Sequence, residues 1–123
     1  MTDSKFIDSS VWLAYFFEGE HISLLESEEI LFVSVLSLFE IKKKLLEKKI
    51  PGNIINEKIS FVKKRSHIII IDNKIVDKAL EIFEKYKLPT VDCLIYASSI
   101  SHKSLLITRD NDFRGLPDAA VYS

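Results

Sequence analysis

The chain has 123 residues, of which 47% are hydrophobic and 28% charged, so we expect one packed domain over residues 1–123 and no disordered chain. A net charge of -1 neither indicates nor excludes a polyanionic partner, and one Cys with three His excludes a disulfide framework or a Cys/His zinc site. The sequence shows no secretory signal and no apolar run of membrane length, which predicts a cytoplasmic protein without membrane contact.

The first predicted strand covers residues 5–8 and ends on a carboxylate, Asp8. Ser9 or Ser10 is expected to cap the helix that follows, because Ser is a favoured residue at a helix N-cap. If the sheet is parallel, ligands bind in the crevice at the carboxyl ends of its strands. Asp8 is therefore predicted to lie in that crevice.

The first predicted helix, residues 11–17, is apolar nearly all the way round. A surface helix on a small sheet needs only one apolar stripe. Two interpretations remain open at this point. The helix is either deeply buried, or one of Trp12, Tyr15 and Phe16 faces a partner chain.

Strands and helices alternate through the rest of the chain. Further strands are predicted at residues 30–33, 67–71, 104–108 and 120–122, and helices at residues 21–27, 35–49, 53–64 and 91–101. Another helix is predicted to follow Asp72 or Asn73 and to carry the apolar residues from Ile75 to Tyr86. The predicted N-caps are Ser34, Asp72 or Asn73, and Thr90. The β-branched run at residues 67–71 is typical of a parallel strand covered on both faces. The alternation predicts a three-layer α/β/α fold with a mostly parallel sheet of four to five strands.

Helix 35–49 carries an acid, Glu40, among apolar neighbours that a solvated Glu does not need. The predicted core stripe of this helix consists of Val35, Leu38, Ile41 or Lys42, Leu45 and Leu46.

Four acids are expected at one edge of the sheet. Asp8 and Asp110 follow the first and fourth strands, while Glu40 and Asp92 lie near the starts of helices, which face the same edge. Taken singly, each has a plainer role, in a turn or beside a helix dipole. Together they repel by about 4 kcal/mol per pair at 4 Å, unless a cation or protons neutralise them. All-oxygen ligands select hard cations, so the sequence predicts Mg²⁺ or Mn²⁺, as one ion or two.

Three segments resemble the motifs of PIN-domain nucleases: FIDSSV at residues 6–11, TVDCLIYA at residues 90–97 and LITRDNDF at residues 106–113. Glu40 matches the remaining acid of that family, and Cys93 replaces the commoner Ala with another small residue. Chain length and motif order are similar to those of VapC toxins from toxin–antitoxin pairs.

The resemblance implies specific residue roles. The metal-binding and catalytic acids would be Asp8, Glu40, Asp92 and Asp110, with Asp112 as a fifth candidate ligand. Ser10 and Thr108 would support those acids, and Arg109 and Arg114 would pair with phosphates. The lysine clusters and the three histidines are expected to face solvent or to have structural roles.

The resemblance implies a Mg²⁺-dependent endoribonuclease that cleaves phosphodiester bonds of RNA by metal-activated water, acting as a toxin with a cognate antitoxin and forming a homodimer. A helical antitoxin segment is expected to cover the aromatic residues of the first helix.

The alternative is a non-catalytic PIN-like module that binds RNA or protein. A phospho-receiver domain fits less well, because Asp8-Ser9 lacks its paired acids and Thr108-Arg109 lacks its lysine.

Overall fold

The computed structural model describes residues 4–123. Five strands form one sheet: β1 (Lys5–Ile7), β2 (Leu31–Ser34), β3 (His67–Ile69), β4 (Leu105–Thr108) and β5 (Ala119–Val121). Their spatial order is β3-β2-β1-β4-β5, and every neighbouring pair is parallel. Strands β1 and β4 therefore lie next to each other, although about a hundred residues separate them in the chain.

The helices are α1 (Ser9–Glu18), α2 (Ile22–Leu25), α3 (Val35–Glu47), α4 (Gly52–Arg65), α5 (Asn73–Tyr86) and α6 (Thr90–Ser101), with a 3₁₀ turn at Asn111–Phe113. They cover both faces of the sheet, α5 and α6 on one face and α1, α3 and α4 on the other. This arrangement confirms the predicted three-layer α/β/α fold.

The central strands supply both cores because successive side chains of a strand point to opposite faces. Phe6 and Leu106 are paired in register and pack against α5 and α6. Ile7 and Ile107, the next pair along, pack against α1, α3 and α4. Each buried side chain of this size stabilises the fold by about 1.5–3 kcal/mol.

The third strand is parallel as predicted, but the prediction that it extends over residues 67–71 and is covered on both faces was wrong. β3 spans only His67–Ile69 and forms the edge of the sheet, paired with β2 alone among the described strands. Ile68 is 41% exposed and Ile70 is 69% exposed, whereas Ile69 and Ile71 pack against the core. An apolar run can therefore serve an edge strand when alternate residues alone are covered.

Two N-cap predictions were correct and two were wrong. The Ser34 hydroxyl accepts from the amide of Leu36 at 3.1 Å, and the Asp72 carboxylate accepts from the amide of Ile75 at 2.9 Å. At α1 the N-cap residue is Asp8 rather than a serine, and at α6 it is Pro89 rather than Thr90. In both cases the hydroxyl residue has become the first residue of the helix.

The predicted core stripe of α3 holds only in part. Ile41 and Leu45 are fully buried, but Val35 is 40% exposed and Leu46 is 58% exposed. Phe39 shares this outward side and is 69% exposed. The helix therefore has an apolar surface on each side, and only one of them contacts the core.

Within residues 4–123, no helix combines the length and the apolar character that a membrane crossing requires.

Candidate metal centre

The acids predicted to meet lie at the carboxyl edge of the sheet. Asp8 directly follows β1, and Asp110 follows β4, the strand paired with β1. Asp92 lies in the first turn of α6, and Glu40 lies in the second turn of α3. The parallel sheet thus directs two strand ends and two helix starts to one place.

Three carboxylates form the tightest group. Asp92, Asp110 and Asp112 each offer one oxygen, and these oxygens lie within 4.8 Å of one another. The 3₁₀ turn produces this approach, because Asp110 Oδ1 accepts the amide of Asp112 at 2.9 Å and turns the chain back. The sequence did not predict this turn, and with it Asp112 joins the group.

Two hydroxyl groups fix Asp8 across the β1–β4 pair. Asp8 Oδ2 accepts hydrogen bonds from Ser10 Oγ at 2.7 Å and from Thr108 Oγ1 at 2.9 Å. The same hydroxyls accept backbone amides of the next loop, with Arg109 N at 3.0 Å from Ser10 Oγ and Asp110 N at 3.0 Å from Thr108 Oγ1. Ser10 and Thr108 therefore connect the position of Asp8 to that of Asp110.

Glu40 approaches the group from α3. Its Oε1 accepts a hydrogen bond from Ser9 Oγ at 3.2 Å. Burial raises the pKa of Glu40, and the charges of Asp8 and Asp110 raise it further, against opposing effects of Ser9 and Lys43. The electrostatic influence of Asp8 and Asp110 places Glu40 within the same acidic environment.

Asp92 shows the strongest electrostatic effect. Burial is the largest cause that raises the pKa of Asp92 to about 7, followed by the charge of Asp110 and by the hydrogen bond and charge of Asp112. Asp8 contributes in the same direction. Such a group is neutralised by a proton or by a cation, and a donor set of carboxylate oxygens suits Mg²⁺ or Mn²⁺. The residues present therefore fit a hard divalent cation.

The two arginines predicted to bind phosphate have partners within the chain. The Arg109 guanidinium contacts two residues outside the acid cluster, with Nη1 at 3.2 Å from His21 Nε2 and Nη2 at 3.9 Å from Glu18 Oε1. Arg114 donates to Asn111 Oδ1 at 3.1 and 2.9 Å. The contact between Arg109 and His21 was missed, because no sequence spacing relates residues so far apart.

The aromatic residues of α1 divide into two kinds. Trp12 is fully buried, so the expectation that it faces a partner was wrong. Tyr15 and Phe16 are half-buried and line a groove of about 420 Å³ together with Phe61 of α4. The rings of Tyr15 and Phe61 are stacked with centroids 5.9 Å apart, and Lys58 Nζ lies 4.8 Å from the centroid of the Phe16 ring.

Sequence comparison now identifies the family. The sequence model of the PIN domain matches residues 5–119. The chain belongs to the PIN domain family. This finding confirms the resemblance inferred from the three sequence motifs.

Solved structures with the same fold include components of toxin–antitoxin systems. A toxin–antitoxin complex from Klebsiella pneumoniae gives a TM-score of 0.79 at 22% identity, covering 95% of this chain and 96% of the other. DNA-bound VapBC from Salmonella typhimurium gives 0.78 at 15% identity, covering 99% and 98%. VapC20 of Mycobacterium tuberculosis, a toxin that cleaves the sarcin–ricin loop, gives 0.67 at 12% identity, covering 97% and 89%. Among curated protein sequences no match was found.

Proposed function

We propose that this PIN domain is a Mg²⁺-dependent endoribonuclease and the toxin of a toxin–antitoxin pair. The observation that carries the proposal is the approach of the Asp92, Asp110 and Asp112 carboxylates to within 4.8 Å. Family membership and the likeness to VapC20, whose described activity is RNA cleavage, support it. A purely structural domain gains nothing from three mutually repelling acids at one edge.

The residues at this edge would have different roles in phosphodiester hydrolysis. Asp8, Asp92, Asp110 and Asp112 would hold the cation, and Ser10 with Thr108 would keep Asp8 in place as an acceptor. Bound Mg²⁺ or Mn²⁺ would supply charge neutralisation at the phosphate and lower the pKa of a water molecule. Glu40 has one oxygen engaged by Ser9, and we assign its Oε2 to receive a proton from the attacking water, a role suited to a carboxylate with a raised pKa.

The groove between α1 and α4 is proposed as the antitoxin site. It is lined by both apolar and charged side chains, among them Tyr15, Phe16, Phe61, Glu57 and Lys58. An amphipathic helix fits such a groove, because its apolar face covers the aromatic rings while its polar face remains in water. The structural relatives described as toxin–antitoxin complexes support an antitoxin partner of this kind.

A homodimer is the remaining part of the proposal, and the outer sides of α3 and α5 support it. Each helix carries an exposed apolar stripe at helical spacing: Val35, Phe39 and Leu46 on α3, and Val76, Leu80 and Phe83 on α5. Exposed stripes of this length are typical of an interface.

The charges beside the middle of the two stripes are complementary, although Lys87 Nζ also lies 5.2 Å from the centroid of the Phe83 ring at one end of the α5 stripe. On α3, Lys42 and Lys43 lie three and four residues from both Phe39 and Leu46, and on α5, Asp77 and Glu84 lie three and four residues from Leu80. Residues at these spacings are neighbours on a helix surface. The α3 stripe of one copy therefore matches the α5 stripe of a second copy in both hydrophobicity and charge.

The proposed activity is tested with purified protein and an RNA of mixed sequence. We expect cleavage in Mg²⁺, none after chelation by EDTA, and strongly reduced cleavage by Asp8→Asn. Asp118→Asn is the matched control, because Asp118 is an exposed acid before β5, at the opposite edge of the sheet. RNA binding without cleavage in any divalent cation would instead support the non-catalytic module.

A further inference from the structure

The side chain of Arg109 contacts residues that lie outside the acid cluster. Its guanidinium Nη1 donates to His21 Nε2 at 3.2 Å, and its Nη2 lies 3.9 Å from Glu18 Oε1. Its backbone amide donates to Ser10 Oγ, the hydroxyl that also holds Asp8. One residue thus links the edge of the acidic site to the connection between α1 and α2.

His21 has an unusual local structure for a linking residue. It occupies the N-cap position of α2 with a φ of 62°, a left-handed backbone conformation that residues other than Gly seldom adopt. Its ring lies edge-on to the ring of Tyr122, with centroids 5.5 Å apart, so contacts from the residue after β4 and the residue after β5 meet at one imidazole. The backbone conformation and the tyrosine together direct Nε2 toward Arg109.

The chemistry of the pair fixes the protonation state of His21. An arginine guanidinium only donates hydrogen bonds, so Nε2 must accept and the imidazole must be neutral. A protonated imidazole would present an N–H to a cation and would repel it. The contact therefore exists only while His21 is neutral.

We propose that His21 is a positioning residue that holds the Arg109 guanidinium at the rim of the acidic site to bind a phosphate of the RNA backbone. This inference rests on the proposed ribonuclease function. Arg109 has five N–H donors, and the His21 contact leaves several for a phosphate. The ion pair with Glu18 is long and its Glu18 side chain is 59% exposed, so a phosphate displaces it at little cost.

The surroundings of His21 favour the neutral form at physiological pH. Burial lowers the pKa of His21 from 6.5, the Arg109 charge lowers it further, and Glu20 opposes them. Glu18 and the Tyr122 ring are the other titratable groups near the pair. As pH falls below the ordinary histidine range, His21 gains a proton, Arg109 is released and RNA binding through Arg109 weakens.

The test measures binding of a fluorescein-labelled RNA 12-mer of mixed sequence by anisotropy in EDTA, where the RNA is not cleaved. We expect His21→Ala and Arg109→Ala each to raise Kd by about 5–10-fold, the loss of a charge-assisted contact. The double variant should bind no more weakly than Arg109→Ala, because both changes remove one interaction. His67→Ala, at an exposed histidine of β3, is the control and should bind like wild type.

A conservative variant separates positioning from folding. His21→Gln keeps an acceptor oxygen for Arg109 but does not titrate. At pH 7.5 we expect it to restore most of the RNA binding. When the pH is lowered from 7.5 to 5.5, the affinity of His21→Gln for RNA should change more favourably than that of wild type. Protonation of the acid cluster at low pH strengthens RNA binding in both proteins alike, so their ratio isolates His21.

Three results would overturn the inference: a Kd for His21→Ala equal to wild type, a double variant whose loss is the product of the single losses, or a His21→Gln protein that follows wild type with pH. If His21→Ala does not fold, the His21→Gln comparison alone decides. Because binding is measured without metal, these outcomes are separate from the cleavage test. A protein that cleaves RNA but binds it independently of His21 would refute this inference alone, whereas absence of cleavage would refute the proposed function.

Discussion

The pKa of the Asp92 carboxyl reflects the charges of the other acids at the carboxyl edge of the sheet. Asp92 lies at the start of α6, where the helix dipole favours a negative charge, yet burial and the charges of Asp110 and Asp112 raise its pKa to about 7. The dipole effect, about 0.3–1 kcal/mol, is therefore smaller than the combined opposing effects. A residue selected only to cap a helix would not be placed beside two more acids.

Replacing Asp92 with Asn should separate catalysis from stability. Asn keeps the shape of the side chain but removes the charge that attracts Mg²⁺, so we expect RNA cleavage to fall by at least about 100-fold. Without metal, the variant should unfold at the same temperature as wild type or higher, because the repulsion from Asp110 and Asp112 is relieved. Cleavage assays and thermal unfolding of the same preparations test both expectations. A variant as active as wild type would show that Asp92 does not bind the catalytic metal.

The raised pKa of Asp92 also predicts how stability depends on pH. Between pH 3.8, the ordinary pKa of an Asp carboxyl, and about pH 7, the folded protein binds more protons at Asp92 than the unfolded chain does. Stability of the metal-free protein should therefore fall as pH rises through this range, and the raised pKa of Glu40 acts in the same direction. The lowered pKa of His21 makes stability rise with pH below pH 6.5. This single group opposes the two carboxyls of Asp92 and Glu40.

Thermal unfolding in EDTA at pH 5.5 and pH 8 measures this effect. We expect a higher midpoint at pH 5.5, and we expect Mg²⁺ to raise the midpoint more at pH 8, because metal and protons compete for the same carboxylates. Asp92→Asn should show a smaller pH difference than wild type. A metal-free protein that is most stable at pH 8 would contradict the assigned electrostatics of the cluster.

At the scale of elements, the sequence predicted the order of strands and helices and the placement of acids at strand ends. These features depend on local signals: apolar runs, helix caps, and a carboxylate directly after a strand, as at Asp8 and Asp110. Errors arose where neighbours in space decide the outcome. The 67–71 run became a short edge strand, and Val35 and Leu46 face outward because core elements cover only the opposite side of α3.

In the candidate site, too, local sequence signals were sufficient for some features, while others depend on residues that are distant in the chain. The approach of Asp112 depends on the 3₁₀ turn at Asn111–Phe113, and the contact of Arg109 with His21 depends on the left-handed backbone at His21. The Asp and Asn residues at 110–112 indicate a turn without specifying its geometry, and His21 is not a Gly, the residue that most readily adopts a left-handed backbone. Burial of Trp12 was also undetermined, because α4 supplies Phe61 to cover it from a distant part of the chain.

The groove between α1 and α4 yields a prediction at this scale. Phe61→Ala removes the ring stacked on Tyr15 and should reduce capture of the polypeptide encoded by any small reading frame next to this one, when the two are expressed together. A central aromatic anchor of an interface contributes at least about 2 kcal/mol on truncation. RNA cleavage should be retained, because Phe61 lies outside the acid cluster. Ile70→Ala, at a 69% exposed side chain outside the groove and outside both stripes, is the control, and equal losses for the two variants would refute the groove assignment.

At the scale of the whole molecule, the topology separates three surfaces. The acids occupy the carboxyl edge of β1 and β4, the proposed antitoxin groove lies on the face formed by α1 and α4, and the two charged apolar stripes lie on the outer sides of α3 and α5. Because α3 also carries Glu40, a second copy that packs on the α3 stripe would lie near the acidic site. Dimerisation and catalysis would then share one helix.

Charge reversal tests whether the α3 and α5 stripes form the homodimer. We expect wild type to sediment as a dimer, and we expect the Lys42→Glu and Lys43→Glu pair of changes to shift it toward monomer, because like charges would then face each other across the interface. Adding Asp77→Lys and Glu84→Lys to the same chain should restore the dimer, which a general loss of stability would not do.

Leu80→Arg tests the apolar part of the same interface. Leu80 is 58% exposed, so the change should cost little folding stability while placing an unpaired charge in the centre of the α5 stripe. Ile30→Arg is the matched control, because Ile30 is 52% exposed, directly precedes β2 and belongs to neither stripe. Sedimentation velocity over a range of concentrations should show a monomer for Leu80→Arg and a dimer for Ile30→Arg. If Leu80→Arg remains dimeric, or if the four-residue reversal fails to restore the dimer, another surface must form the homodimer and the α3–α5 pairing is wrong.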